Sequence, residues 1–260
     1  MDLKLRGRRA LVTGSSSGLG TAIARLLAAE GADVVVHGRD EARTHGVAEE
    51  IGAAAAAVGD LATDQGADAV AAVAGEADIL VNNAGAYGHP HRWSEATPDM
   101  WAHLYEINVI SAVRMIQRLV PGMRERGWGR VIQIGGGLAS QPMPEQPHYN
   151  ATLAARHNLA VSLARELKDT GVTSNVVSPG AILVDSVKEL VTELAPEHGW
   201  GASWEEIEPN AARDFVPNDI GRFGRPEEIA GAVAYLAGPY GAYVSGATLR
   251  VDGGTIRSVI

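Results

Sequence analysis

The sequence contains no cysteine among its 260 residues. A disulfide framework, a thiolate metal site and a cysteine nucleophile are therefore excluded, although missing thiols do not by themselves assign a redox compartment. Patterns of metal ligands are lacking as well, because the eight histidines form no His-x-x-x-His pair and no carboxylate cluster has ligand spacing. His89 and His91 flank a proline in a loop, and we do not expect them to hold a metal ion.

Basic residues are in deficit, with 22 Lys and Arg against 31 Asp and Glu and a net charge of −9. This balance disfavours a protein that coats nucleic-acid phosphates, and the five scattered tryptophans lack the interleaved basic residues of a base-stacking surface. Residues 1–9 contain no apolar signal core, and no membrane-spanning run follows them. We therefore expect a cytoplasmic protein that binds neither nucleic acid nor membranes.

Strand-like runs alternate with helix-length segments along the chain. The first helix is predicted at Thr21–Glu30, before Gly31, and it lies between two apolar strand runs. Such a βαβ unit requires a parallel sheet covered by helices. We predict a single α/β domain over residues 1–260, with strands at Ala10–Thr13, Val34–Val36, Ala53–Val58, Ile79–Asn82, Arg130–Ile134, Ser174–Ser178 and Thr248–Val251.

Two stretches depart from this regular pattern. Ala53–Val58 is rich in alanine, which prefers helix, so its prediction as a strand depends only on its place in the alternation. The least regular region is residues 191–221, which contain Pro196, Gly199, Gly201, Pro209 and Pro217. Loops of this length are usually functional or disordered. We expect a lid over a binding site around residues 183–223, with an ordinary surface excursion as the alternative.

A glycine-rich turn, Thr13–Gly20 (TGSSSGLG), joins the first strand to the first helix. Small residues allow backbone N–H groups to approach a pyrophosphate, and the helix N-terminus adds the positive end of its dipole. The spacing of the glycines differs from the G-x-G-x-x-G fingerprint, but the turn would bind phosphate by the same mechanism. Together with the flanking strand and helix, the turn predicts a site for a dinucleotide.

Several further motifs follow in order from about Leu5 to Thr255. The chain resembles the short-chain dehydrogenase/reductase family in this glycine-rich turn and in Asn82–Gly85 (NNAG), Asn108, Tyr149, Ser178–Gly180 (SPG), Arg225–Ile229 (RPEEI) and Val251–Gly254 (VDGG). The resemblance implies a doubly wound Rossmann-type sheet of about seven parallel strands with helices on both faces. It also implies an oxidoreductase that assembles as a homotetramer or homodimer.

The choice of dinucleotide depends on the end of the second strand. The family's acidic residue for the ribose hydroxyls falls on Gly38, and Arg39 follows it, an arrangement that suits a 2′-phosphate. Asp40 is either a late acid or a helix cap. We predict NADP(H), with NAD(H) as the alternative. The resemblance assigns cofactor contacts to Gly14, Ser16, Ser17, Gly18, Leu19, Gly20, Arg39, Asp60, Leu61, Asn83, Ala84, Gly85, Tyr149, Pro179, Gly180 and Ile182.

The resemblance makes Tyr149 the catalytic acid or base and places Asn108 in its proton relay. A tyrosine with a pKa near ~10 needs a neighbouring cation to act as a base near neutral pH. The family's lysine for this purpose is replaced by Leu153, and its serine is replaced by Gly136. Val184 stands where a threonine usually meets the nicotinamide carboxamide.

Nearby residues offer weak substitutes for the missing groups. We interpret Ser140 as a surface serine rather than a catalytic one. We expect His148 to face away from Tyr149, because adjacent helical residues point to different faces. His157 shares the face of Leu153 but is better interpreted as a packing residue. We expect Gly135–Gly137 to leave room for a bulky substrate and to supply backbone N–H groups.

Losing the lysine impairs alcohol oxidation more than carbonyl reduction, because a neutral tyrosine can still donate a proton. We predict an NADP(H)-dependent reductase that acts on the carbonyl or a related C=X group of a small organic or secondary-metabolite substrate. One alternative is a dehydratase, isomerase or cyclase on the same scaffold. Another is a catalytically silent binding protein.

Overall fold

The computed structural model describes residues 2–88 and 90–258. Its strands are β1 (Arg9–Val12), β2 (Asp33–Gly38), β3 (Ala55–Val58), β4 (Ile79–Asn82), β5 (Gly129–Ile134), β6 (Val172–Pro179) and β7 (Thr248–Val251). The α-helices are α1 (Gly18–Ala29), α2 (Glu41–Glu50), α3 (Asp64–Ala74), α4 (Pro98–Tyr105), α5 (Ser111–Glu125), α6 (Pro147–Glu166), α7 (Asp185–His198), α8 (Trp204–Phe215) and α9 (Pro226–Ala237). A π-helical turn, Glu106–Ile110, joins α4 to α5, and short 3₁₀ turns lie at Gly137–Ala139 and Pro239–Gly241.

Within these residues the strands form one parallel sheet in the order β3-β2-β1-β4-β5-β6-β7. Helices cover both faces: Ile23 of α1 and Ile229 of α9 pack on one side, and Val70 of α3 and Met115 of α5 pack on the other. Strands buried on both faces read as continuous apolar runs, which is why β1, β2 and β4 were visible in the sequence. The predicted doubly wound α/β fold is confirmed.

The strand order reverses at β1, where β2 lies on one side and β4 on the other. Crevices of this kind form at the carboxyl ends of the strands and are the usual ligand sites of open α/β sheets. The predicted alanine-rich strand is present as β3, whose residues pair in parallel with β2. Its neighbours therefore overrode the helical preference of alanine.

The region predicted to be irregular contains two helices, α7 and α8. Pro196 and Pro209 lie inside these helices, so reading prolines as breakers was wrong there. The two helices enclose a small core of their own, in which Trp200 and Phe223 are fully buried. Tertiary burial thus outweighs the lost backbone hydrogen bonds. Among the residues that the structure describes, no helix is long and apolar enough to cross a membrane.

Candidate active site

The glycine-rich turn is held against the end of β4 by a dense set of backbone contacts. Thr13 Oγ1 accepts hydrogen bonds from the backbone N–H groups of Asn83 and Ala84, each at 3.0 Å. Asn83 Nδ2 donates to the carbonyls of Thr13 (3.0 Å) and Gly14 (3.1 Å). A side chain at Gly20 would collide with the Gly14 carbonyl and lie 2.8 Å from the Ser15 Cα. The start of α1 therefore packs directly on the backbone of the turn, which leaves no space for a side chain at Gly20.

The side chain of His37 contacts the glycine-rich turn. Its Nδ1 accepts a hydrogen bond from the Gly14 N–H at 2.9 Å, and its Nε2 lies 3.1 Å from the Gly59 carbonyl. These partners require the tautomer with hydrogen on Nε2. Burial lowers the pKa of His37 below its usual range, against the raising effect of the Gly59 carbonyl. His37 is therefore a neutral link between the turn and the segment after β3.

The end of β2 has no room for an acidic side chain. A Cβ at Gly38 would collide with Thr44 Oγ1 and lie 2.5 Å from Ser16 Oγ. Arg39 follows it, is exposed, and has no ion pair or side-chain hydrogen bond with another described residue. Asp40 is a helix cap, because its carboxylate accepts the Arg43 N–H at 2.8 Å and begins α2. The end of β2 therefore carries the hydroxyl of Ser16 and the guanidinium of Arg39. It lacks the carboxylate that would bind the ribose hydroxyls.

The other residues predicted to hold the dinucleotide lie after β3 and β4, at and after the end of β6, and at the start of α1. Asp60 is exposed after β3, and its carboxylate accepts the Ala62 N–H, whereas Leu61 is buried. Across the sheet, Val184 lies against the glycine-rich turn, 3.6 Å from the position of a Cβ on Gly18. The remaining members of the predicted set lie in three segments: Ser17 and Leu19 at the start of α1, Gly85 after β4, and Pro179, Gly180 and Ile182 at and after the end of β6.

Tyr149 lies in the first turn of α6, and its ring meets Tyr87 edge to face with centroids 5.0 Å apart. Burial raises the pKa of the Tyr149 phenol, while the charge of Arg156 lowers it. The phenol is therefore protonated at neutral pH. His148 points elsewhere, toward His91 and Trp101, as the sequence predicted.

Asn108 occupies the middle of the π-helical turn, where the helical ladder is interrupted. Its amide side chain is fully used: Oδ1 accepts the Ala86 N–H at 2.7 Å, and Nδ2 donates to the Ala86 carbonyl and to Thr152 Oγ1. Its backbone carbonyl accepts a hydrogen bond from Arg156 Nε at 2.5 Å. The helix is thus distorted at Asn108, and the guanidinium of Arg156 occupies its backbone carbonyl.

The three glycines after β5 do not leave room for a substrate. A Cβ on Gly136 would lie 2.9 Å from Leu153 Cδ1, and one on Gly137 would lie 2.9 Å from Ile256 Cδ1. The His157 ring fills the space beside Gly135. The expectation of an open pocket was wrong, because side chains of α6 and of the C-terminal segment replaced the missing volume. His157 is the packing residue that the sequence favoured, and Ser140 is exposed.

Arg156 is the residue that sequence reasoning missed. Its guanidinium is only 3% exposed and donates to four backbone carbonyls. Besides Asn108, these belong to Ile134 (2.7 Å), Asn82 (3.2 Å) and Ala84. Burial lowers the pKa of Arg156 to about 10, so the side chain stays charged at neutral pH. The ends of β4 and β5 and the π-helical turn thus converge on one buried cation.

A signal for Arg156 was present in the sequence. Tyr149, Thr152, Leu153 and Arg156 follow the i, i+3, i+4, i+7 spacing of one helical face. Thr152 and Leu153 are fully buried with Arg156. Because arginine is rarely buried, its presence on the face of a catalytic tyrosine should have drawn attention before His157 did.

Comparison with known proteins places these features in a family. The short chain dehydrogenase family matches residues 8–195 of the chain. The uncharacterized oxidoreductase YvaG of Bacillus subtilis (strain 168) is 38% identical over the full length of both chains. The chain belongs to the short-chain dehydrogenase family. As a member of this family, it is an oxidoreductase with a Rossmann-type fold.

Two solved structures of short-chain dehydrogenases are similar over nearly the whole chain. L-Sorbose reductase from Gluconobacter frateurii, complexed with NADPH and L-sorbose, superposes with a TM-score of 0.90 at 36% identity and full coverage of both chains. 3-Ketoacyl-(acyl-carrier-protein) reductase from Brucella melitensis, complexed with NADH, has a TM-score of 0.83 at 30% identity and covers 97% of this chain and 99% of its own. Both are reductases, and they hold different nicotinamide dinucleotides.

Proposed function

We propose that this short-chain dehydrogenase is an NADP(H)-dependent reductase of a carbonyl or related C=X group in a small organic substrate. The observation that carries the proposal is a continuous set of contacts between a phosphate-binding turn and a protonated tyrosine. Thr13 binds the backbone of Asn83 and Ala84, and Arg156 donates to the carbonyls of Ala84 and Asn108. Asn108 Nδ2 donates to Thr152 Oγ1, which donates in turn to the Tyr149 carbonyl at 2.7 Å. A dinucleotide site and a proton donor therefore share one crevice.

The fit of the chain to the dinucleotide rests on close backbone approach. A Cβ at Gly14 would lie 2.9 Å from the Ala84 Cα, so this position tolerates only glycine. The start of α1, with Ser17 as its N-cap and no side-chain hydrogen bond there, would hold the pyrophosphate. Asp60 and Asn83 border the adenosine side, whereas Gly180 and Ile182 border the nicotinamide side. When bound, the reduced nicotinamide supplies the hydride.

The preference for NADP(H) follows from the end of β2. Ser16 and Thr44 occupy the space that an acid at position 38 would need, so the ribose hydroxyls lack a carboxylate partner there. Arg39 has no competing partner among the described residues and is available to a 2′-phosphate. The NADPH complex of the similar L-sorbose reductase supports this choice, and the NADH complex of the Brucella reductase keeps NAD(H) as the alternative.

In the proposed reaction, Tyr149 donates a proton to the substrate oxygen. Its raised pKa keeps it protonated, which favours the reductive direction. Asn108 has a positioning role, because its side chain hydrogen-bonds the Ala86 backbone and Thr152 of α6 and so holds the π-helical turn in place. We assign Gly136 and Leu153 to the places of the family's serine and lysine. A Cβ at position 136 would lie 2.9 Å from Leu153 Cδ1, so glycine at position 136 suits leucine at position 153.

The substrate would enter between loops that carry exposed apolar side chains. Tyr87 is 58% exposed, Met143 is 50% exposed and Ile220 is 63% exposed. They come from the segment after β4, the segment before α6 and the segment after α8. We propose that residues 183–223 form a lid and that the substrate has an apolar portion, because such side chains gain most from covering apolar surface.

The first experiment is a titration of the protein with NADPH and, in parallel, with NADH. We expect selective binding of NADPH, followed by NADPH oxidation with at least one member of a panel of small ketones and keto sugars. Tyr149→Phe should retain NADPH binding and lose about 10²-fold or more in rate. Binding of neither dinucleotide would overturn the redox proposal. Turnover without NADPH oxidation would point to a dehydratase, isomerase or cyclase.

We also propose self-association through a groove between the π-helical turn, α5 and α6. It is lined mainly by apolar and small side chains, including Val109, Val113, Ile116, Ala151 and Ala155. Small residues allow helices of a second copy to approach closely, and apolar lining gives the contact its free energy. Sedimentation equilibrium should give a dimer or tetramer. Ala155→Glu should shift this assembly toward monomer, whereas a monomer in the wild type would contradict the proposal.

A further inference from the structure

Arg156 is a buried cation without an acidic partner among the described residues. All its observed hydrogen bonds go to backbone carbonyls of the two strand ends and the π-helical turn. Carbonyl oxygens satisfy the donors of a guanidinium but carry no net negative charge. Burying a charge is costly unless its surroundings compensate. The fold therefore maintains a positive potential at this place, and any anion that forms nearby is stabilised.

Tyr149 is the ionisable group that feels this potential. It lies seven residues before Arg156, so both project from the same face of α6. Burial raises the pKa of Tyr149, the charge of Arg156 lowers it and Tyr87 raises it. Hydrogen bonds also join the two residues, because Arg156 donates to the Asn108 carbonyl, Asn108 Nδ2 donates to Thr152 Oγ1, and Thr152 Oγ1 donates to the Tyr149 carbonyl. Arg114, by contrast, is neutralised by Glu106 and Asp64. Among the described residues, Tyr149 is the ionisable group whose charge interacts with the Arg156 guanidinium.

We propose that Arg156 is the electrostatic positioning residue that stabilises the phenolate of Tyr149, from a position one turn beyond the uncharged Leu153. This inference rests on the proposed function in one respect, which is that Tyr149 gives up its proton during reduction. The O–H bond of Tyr149 breaks, its electron pair stays on the phenol oxygen, and the proton forms a new O–H bond on the substrate. When bound, the reduced nicotinamide would supply the hydride that reduces the substrate carbon, and water would later return a proton to Tyr149.

Leu153 has a complementary part in this arrangement. It is 5% exposed and fills the space beside Gly136, so water is excluded between the start of α6 and the end of β5. A charge acts more strongly where water does not screen it. An apolar residue at position 153 therefore extends the reach of the Arg156 charge. The lysine that the family has at this place would contact the reacting groups directly. Arg156 instead acts through its charge on Tyr149, and its hydrogen bond to the Asn108 carbonyl holds it in position.

The test measures the ionisation of residue 149 without any turnover. Tyrosine at position 149 is replaced by 3,5-difluorotyrosine, whose phenol titrates well below that of tyrosine, and its pKa is followed by ¹⁹F NMR. In Arg156→Met we expect this pKa to rise by about one unit or more, because an opposite charge nearby has been removed. Arg156→Lys should keep the wild-type value more closely, since the charge remains.

Arg130 provides a matched control. It is also buried, at 4% exposure, and donates to backbone carbonyls, but it lies at the opposite end of β5 and stacks on Trp128. Arg130→Met should lower stability and leave the fluorophenol pKa unchanged. If Arg156→Met does not fold, Arg156→Gln provides the neutral variant, because its amide still donates to a carbonyl.

A rescue experiment separates charge from packing. Leu153→Lys added to Arg156→Met restores a cation one turn earlier on the same face, and the fluorophenol pKa should fall again. Leu153→Met on the same background is the uncharged control and should not lower it. An unchanged pKa in both Arg156→Met and Arg156→Gln would overturn the inference. Should NADPH oxidation be undetectable while the pKa responds as expected, the proposed function fails and the electrostatic link between the two residues stands.

Discussion

The proposed active site has a nucleotide half around the glycine-rich turn and a catalytic half around Tyr149, and the two halves use glycine in different ways. In the nucleotide half, a Cβ on Gly14 or Gly20 would meet backbone atoms of Ala84, Gly14 and Ser15. In the catalytic half, a Cβ on Gly135, Gly136 or Gly137 would meet side chains of His157, Leu153 and Ile256. Backbone cannot be exchanged by mutation, but side chains can. The nucleotide half is therefore constrained to its motif, whereas the catalytic half tolerates paired replacements.

The largest expected effect follows from substituting Gly20. Gly20→Ala places a methyl group against the Gly14 carbonyl and the Ser15 Cα, and we expect a loss of about 3 kcal/mol or more in the free energy of unfolding. NADPH binding should disappear with it. Urea denaturation and NADPH titration check both effects.

Relieving the nearby side chain should not rescue Gly20→Ala. Asn83 Nδ2 lies 2.6 Å from the added Cβ, yet the backbone contacts remain when Asn83 is shortened to alanine. The double variant should be no more stable than Gly20→Ala alone. Recovery in the double variant would show that the nucleotide half is also governed by side chains, and the contrast between the halves would collapse.

The matching change in the catalytic half is Gly136→Ser. Its Cβ would press on Leu153 Cδ1, and we expect a loss of about 1–3 kcal/mol in the free energy of unfolding. On a Leu153→Ala background the same serine should cost much less, because the contact has gone. A double-mutant cycle measured by urea denaturation should give a coupling energy of roughly 1 kcal/mol or more. Additive costs would show that Gly136 and Leu153 are independent.

Sequence reasoning succeeded where backbone rules dominate. The glycine-rich turn lies between β1 and α1 as predicted, and the parallel sheet followed from continuous apolar runs such as Val34–Val36. It failed where packing decides. Gly136 alone suggested space, and only the structure shows that Leu153 occupies it. Arg156 looked like an ordinary helical arginine because burial and hydrogen bonding to four carbonyls are tertiary properties.

Cofactor choice gives an intermediate effect within the nucleotide half. Arg39→Ala should weaken NADPH binding about 10-fold, which corresponds to about 1.4 kcal/mol, and should leave NADH binding nearly unchanged. Arg6→Ala is the control, since Arg6 is an exposed arginine that precedes the amino end of β1, whereas Arg39 follows the carboxyl end of β2. Isothermal titration calorimetry separates the outcomes. Equal losses for both dinucleotides in Arg39→Ala would contradict a role for Arg39 in 2′-phosphate recognition.

The smallest expected effect is a pH dependence that distinguishes the halves through two histidines. Burial lowers the pKa of both His37 and His157, so each stays neutral when folded and takes up a proton more readily when unfolded. Stability should therefore be complete above about pH 6.5 and fall as the pH drops below it, by at most about 1.4 kcal/mol per pH unit for each histidine.

The two histidines should differ in what protonation does to the cofactor site. A proton on His37 Nδ1 would face the Gly14 N–H and break the 2.9 Å hydrogen bond that fastens the glycine-rich turn. His157 Nε2 has no hydrogen-bond partner among the described residues, so its protonation affects packing alone. Because burial lowers the pKa of folded His37, this effect should begin below pH 6.5. There NADPH affinity should decline with falling pH in the wild type and in His157→Asn, but less steeply in His37→Asn. An equal decline in all three proteins would show that the turn does not depend on His37.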